Sequence, residues 1–243
     1  MVYIIGIATL IATLLGGFFA LRYKDKLHLI LGFSAGAVIA VSFFDLLPEA
    51  IELGGKQYGV ATITSIAALG FAIYLLLDRL FVLHANHEHE EDEKHHAHAH
   101  RGTLGASSLS FHSFLDGLAI GLAFQVSTAV GTIVAVAVLV HDFSDGINTV
   151  NLVLKNAGSP KKAISWLLVD AIAPVLGIVL GSFLVLPPAT LGLILALFCG
   201  FFLYIGASDL LPESHHGHPT IGTTCMTILG MLILYTAIHL ASF

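Results

Sequence analysis

Eight mainly apolar runs alternate with short polar breaks along the chain, at 3–21, 28–53, 59–83, 104–126, 128–154, 163–185, 188–211 and 220–241. Each is long enough to cross a bilayer once, because a helix rising 1.5 Å per residue needs about 20 apolar residues to span the hydrocarbon. The breaks suit their place: Arg22 to Lys26, Gly54-Gly55-Lys56, a His/Glu tract, Gln125 to Thr128, Asn156 to Pro160, Pro187-Pro188 and Ser214 to Pro219 hold charges and helix breakers. The pattern predicts an all-α integral membrane protein, a single transmembrane domain over 1–243 with eight helices. Run 3–21 has no charge ahead of it and no small-residue cleavage site, and so reads as a retained helix.

Composition agrees: 56% of the residues are hydrophobic and 11% charged, which excludes an ordinary soluble domain and leaves no basic surface for nucleic acid. Cys199 and Cys225 each sit in an apolar run and read as small buried hydrophobes, not as a disulfide or a Cys-rich metal site. The ten Lys and Arg decide orientation. Arg22, Lys24, Lys26, Arg79, Lys94, Arg101, Lys155, Lys161 and Lys162 fall in or beside the loops after helices one, three and five, and Lys56 alone falls on the other side. The positive-inside rule then makes those three loops cytoplasmic and both termini extracytoplasmic; the small size of the chain makes the cell (plasma) membrane the default location.

The sequence also repeats itself in reverse orientation. Asp45-Leu-Leu-Pro-Glu49 in helix two recurs as Asp209-Leu-Leu-Pro-Glu213 in helix seven, five crossings later. His112-Ser-Phe-Leu-Asp-Gly117 in helix four is echoed as His141-Asp-Phe-Ser-Asp-Gly146 in helix five. Helices one to three are thus expected to mirror six to eight, with four and five mirroring each other. Inverted repeats with a site at their interface are characteristic of transporters.

His112 and Asp116, and again His141 and Asp145, are spaced i and i+4, so each pair shares one helix face. Asp142 lies beside the second pair. Each intramembrane Asp costs about 2.5–3.5 kcal/mol on insertion scales, so three imply a penalty of order 10 kcal/mol without compensation. A divalent cation held by two imidazoles and several carboxylates supplies it, with a donor set suited to Zn2+, Fe2+, Mn2+ or Co2+. The competing reading is a hydrogen-bonded network or proton relay without metal. Asn148 and Asn151 extend the helix-five face. Asp170, four residues before Pro174 in helix six, is a further ligand candidate, with a helix-to-helix hydrogen bond as the equal alternative. Asp45, Glu49, Asp209 and Glu213 read as interfacial or capping groups, with gating as a second role.

Seven histidines between His84 and His100, mixed with Glu88, Glu90, Glu91, Asp92 and Glu93, predict a flexible, cytoplasmic, weakly metal-binding loop over 84–103. His215-His216-Gly217-His218 is a shorter run of the same kind.

These features resemble the ZIP (Zrt/Irt-like) family of divalent metal ion transporters over nearly the whole chain. Phe111-His-Ser-Phe-Leu-Asp-Gly-Leu-Ala-Ile-Gly121 is similar to its helix-four signature, and His141-Asp-Phe-Ser-Asp-Gly146 to its helix-five signature. The resemblance implies that His112, Asp116, His141, Asp142 and Asp145 surround a central site for one or two metals, and that the protein is a homodimer. This chain has Ser113 where the family has Asn, Ser144 where it has Pro, and Asp at 142 and 145 where Glu or His is usual, departures that bear on metal preference.

The expected function is transport of divalent transition metal ions, Zn2+ foremost with Fe2+, Mn2+ and Cd2+ as alternatives, imported toward the cytoplasm. The metal is the transported substrate; no prosthetic group and no enzyme activity are expected. A metal exporter of the cation-diffusion type and an intramembrane metalloenzyme are the alternative readings. No Walker-type phosphate loop points to ATP drive.

Overall fold

A computed structural model of the chain describes residues 2–22, 27–86, 94–155, 159–215 and 221–241. Among them the regular structure is helical, without strands, and eight helices are long and apolar enough to cross a membrane. They are α1 (Val2–Arg22), α2 (Leu27–Val41, running on through Ser42–Leu46 and Leu47–Tyr58), α3 (Val60–Asn86), α4 (Lys94–Val126), α5 (Thr128–Lys155), α6 (Pro160–Phe183), α7 (Pro188–Tyr204, running on through Ile205–Leu210 and Leu211–His215) and α8 (Ile221–Ala241). Leu15, Leu76, Leu176, Leu232 and Leu240 are all exposed on the outer faces of their helices. An apolar surface of this kind suits acyl chains and not water.

One boundary differs from the sequence reading, for a local reason. The expected break at Gly54-Gly55 is helix: a Cβ on Gly54 would press into Ile63, and one on Gly192 of α7 would meet the Gly54 backbone nitrogen. These glycines serve a helix crossing, and the chain turns at Gly59, whose φ of +81° suits a residue without Cβ. The His-rich tract lies partly outside the described residues. His84 to Asn86 end α3 and 94–103 begin α4, while 87–93 lie outside the described residues, as do 216–218 of the second histidine run. Cys225 is exposed on α8, not buried; Cys199 is buried and donates to the Ser42 carbonyl at 3.3 Å.

Each Asp-Leu-Leu-Pro-Glu motif forms the same unusual turn. Pro48 and Pro212 have no N–H to donate one turn back. Immediately before them the ladder slips to a five-residue step, Leu47 N–H to the Ser42 carbonyl and Leu211 N–H to the Gly206 carbonyl, giving π-helical segments at Ser42–Leu46 and Ile205–Leu210.

Packing follows the inverted repeat. α4 lies along α6 as α5 lies along α1, and α2 lies along α8 as α7 lies along α3. The close crossings obey it too. A Cβ on Gly117 would collide with the Pro174 carbonyl and one on Gly146 with the Thr13 carbonyl; one on Gly36 would strike the Thr227 carbonyl and one on Gly200 the Ala67 carbonyl. Gly117 and Gly146 each follow their motif His by five residues, and Gly36 and Gly200 each precede their motif Asp by nine. With lipid as apolar as the side chains, such backbone contact is what holds membrane helices together. The helices thereby sort into two bundles, α1 with α4, α5 and α6, and α2 with α3, α7 and α8, joined by a sparser seam where α2 meets α5.

Candidate metal centre

The i, i+4 spacing that aligns His112 with Asp116 on α4, and His141 with Asp145 on α5, brings all four side chains to one point because α4 and α5 pack side by side. One ligand atom from each lies within 4.8 Å of the others, and all four residues are buried. Asp116 is the hub: its Oδ2 is 3.1 Å from His112 Nε2 and 3.0 Å from His141 Nε2. Asp145 Oδ2 sits 3.5 Å from His112 Nε2 and 3.8 Å from His141 Nε2. His141 Nδ1 lies 2.9 Å from the Ala137 carbonyl. A carbonyl only accepts, so Nδ1 holds a proton and Nε2 is the nitrogen that faces the carboxylates; it donates to Asp116 Oδ2 at 3.0 Å when no ion lies between them, and its lone pair is free for a metal once that proton leaves. Two imidazoles and two carboxylates around one point can bind a borderline divalent cation.

Asp142 and Asp170 are placed differently. Asp142 is fully buried with neither carboxylate oxygen hydrogen-bonded among the described residues, although an isolated buried carboxylate is strongly unfavourable. Its chemistry is that of a ligand atom whose counter-charge must come from a cation or a proton. Asp170 is equally buried, but Ser113 donates to its Oδ1 at 2.7 Å and Thr149 to its Oδ2 at 2.8 Å. It ties α4, α5 and α6 together, the helix-to-helix hydrogen bonding held as the equal alternative to a ligand role. Accordingly Asp170→Asn, which keeps one carbonyl acceptor, should lower divalent metal uptake by about tenfold, the lower end of what loss of a ligand-positioning partner costs. Initial uptake rates in proteoliposomes check this.

The site lies on the seam between the bundles. Tyr74 of α3 stands edge-on to His112 with ring centroids 5.9 Å apart, and Phe202 of α7 edge-on to His141 at 6.0 Å. Ser34 of α2 donates to the Val140 carbonyl at 3.0 Å and lies 3.1 Å from Ser144 Oγ, making a polar crossing from one bundle to the other. Sequence reasoning missed Ser113 as a partner of Asp170, Thr149, Ser34, Tyr74 and Phe202. Hydroxyls and aromatics inside apolar runs give no periodic signal. Asn148 and Asn151 are half-buried farther along α5, whereas Val134, Ala137 and Val138 on the other side of His141 are fully packed.

The ZIP Zinc transporter family model matches residues 82–236, more than half of the chain and both signature helices. Over 250 residues the chain is 29% identical to the zinc transporter ZupT of Corynebacterium aurimucosum, covering 96% of this chain and 93% of that protein. It is 30% identical to the zinc transporter ZupT of Corynebacterium glutamicum over 84% of this chain and 85% of the other. A shorter match, 34% identical over 107 residues, links 44% of this chain to 13% of the human zinc transporter ZIP10.

Proposed function

Since this chain belongs to the ZIP zinc transporter family and moves divalent metal ions across a membrane, we propose that Zn2+ is its principal substrate and that His112, Asp116, His141 and Asp145 bind it in transit. The convergence of four buried ligand atoms within 4.8 Å, from two helices related by the inverted repeat, supports this assignment most directly. Fe2+, Mn2+ and Cd2+ satisfy the same donor set and are secondary substrates. Asp142, buried without a donor, adds a carboxylate for a second ion beside the first. Asp170 positions the ligands through Ser113 and Thr149.

Access follows from the seam. The bundle α1, α4, α5 and α6 holds all four ligands and is locked internally by its glycine crossings, so it shifts as one body against α2, α3, α7 and α8. The moving unit is thus larger than α4 and α5 alone. On one side of His141, Val134 and Ala137 seal the route with apolar packing; on the other, Asn148 and Asn151 offer polar groups to a departing ion. Nine of the ten basic residues lie on the Asn148 side, which makes that side cytoplasmic, the termini extracytoplasmic and the net movement import across the plasma membrane. The metal is cargo, and no covalent step is needed. A homodimer and a metal-collecting His-rich tract over 84–103 complete the reading.

Uptake of radioactive Zn2+ into proteoliposomes tests it. Saturable uptake by the wild type, lost in a His112→Ala/Asp145→Ala variant shown to insert correctly, is the expected result. Equal uptake by both proteins would return the four residues to a structural network.

A further inference from the structure

Away from the central site, a cavity of about 430 Å³ opens between the end of α2, the start of α5 and the end of α8. Asp45, Glu49 and Glu52 line it from α2, and His239 lines it from α8. No Lys or Arg is among its lining residues; Lys56, one turn beyond Glu52, is the nearest basic residue along α2. Three carboxylates gathered around a cavity repel one another unless a cation joins them or one takes up a proton. Asp45 points to that cation most sharply. It lies in the π-helical step before Pro48 and is only 7% exposed, and its Oδ2 is buried with no hydrogen-bond partner among the described residues. His239, stacked on Tyr235 with ring centroids 6.1 Å apart, adds an imidazole to the carboxylates.

We propose that this cavity is a second, outer binding site for a divalent transition metal ion, with Asp45 and Glu49 as its principal ligands and Glu52 and His239 at its rim. Carboxylate with imidazole selects borderline divalent ions over alkali ions. Its place fits recruitment. Val130 and Ile133 of α5 line the cavity, and the same face of α5 passes Ala137 to reach His141, about 12 Å along the helix from Ile133 at 1.5 Å per residue. Buried Val134 and Ala137 separate the two positions. An ion held here waits one apolar layer from the transport site, on the extracytoplasmic side of the proposed orientation. The recruiting role rests on the transport reading; the binding does not.

The test is equilibrium binding of radioactive Zn2+ to the purified full-length protein in nanodiscs, in a His112→Ala/His141→Ala background that removes the central site. Adding Asp45→Asn should remove about one equivalent of bound zinc or weaken it at least tenfold, and Glu49→Gln with His239→Gln should do the same. The His84–His100 tract contributes equally to every isotherm and cancels. If Asp45→Asn fails to insert, the Glu49→Gln/His239→Gln pair decides alone. Isotherms that match the background overturn the proposal. Zinc uptake by the wild type is measured in parallel. Uptake without an Asp45-dependent equivalent defeats this site and spares the transport reading; the equivalent without uptake does the reverse.

Discussion

Asp116→Asn should cut the initial rate of Zn2+ uptake by at least about a hundredfold, more than replacement of any hydroxyl or Asp170 behind the site. The exchange keeps the size of the side chain but removes the charge and one acceptor from the atom that lies 3.1 Å from one imidazole and 3.0 Å from the other. Loss of an outer-shell partner alone weakens a metal site about 10–100-fold, so loss of the ligand shared by both His residues should exceed that. A bound divalent ion would also lose a full negative charge in a buried setting, where Coulomb terms are large. Asp116→Glu, with the charge kept and the reach lengthened, should recover part of the rate. If Asp116→Asn transports within threefold of the wild type after matching for inserted protein, Asp116 is no ligand.

The largest effect on stability should come from Gly146→Leu. The Cβ of any residue at 146 would fall on the Thr13 carbonyl and crowd the Gly17 nitrogen, both backbone atoms that no rotamer change can move aside. Overpacking of this sort costs about 1–3 kcal/mol where side chains can yield, and more where they cannot. A penalty of about 3 kcal/mol should lower the apparent Tm of the detergent-purified protein by roughly 6–12 °C. Gly6→Ala is the control, since a Cβ there would make ordinary contact with Ile178 at 3.5 Å. Equal Tm values for the two variants would mean that α1 and α5 do not cross as closely as described.

Much of this was legible in the chain because the bilayer imposes a simple rule. Run length gave the eight spans to within a few residues at most ends, and the paired motifs announced the inverted repeat together with the two His/Asp pairs. The failures are instructive. Gly54-Gly55 looked like a loop because glycine ends helices and also lets them cross, and only the partner, Gly192, distinguishes the two roles. The π-helical turns left no trace, since Asp-Leu-Leu-Pro-Glu reads equally well as a helix end. Asp45 therefore reads from the sequence as interfacial or capping, with gating as a second role, and its burial at 7% exposure is not visible there. Tyr74 and Phe202 were hidden for another reason: the stretches around them, 70–77 of α3 and 197–203 of α7, are apolar, and nothing in such a run says which aromatic faces a histidine. Assignment of α1 and α6 to the ligand-bearing bundle depends on contacts between segments far apart in sequence, which periodicity does not encode.

The glycine crossings also dictate where a small-molecule blocker can lodge. At Gly117, Gly146, Gly36 and Gly200 the helices touch backbone to backbone, and these crossings leave no room for a wedge. The seam is different, because Ser34, Ser144, Tyr74 and Phe202 meet there through side chains that rotate. A compound that fills this seam would act as a brake on the motion between the bundles, stopping transport without competing with zinc for a single ligand.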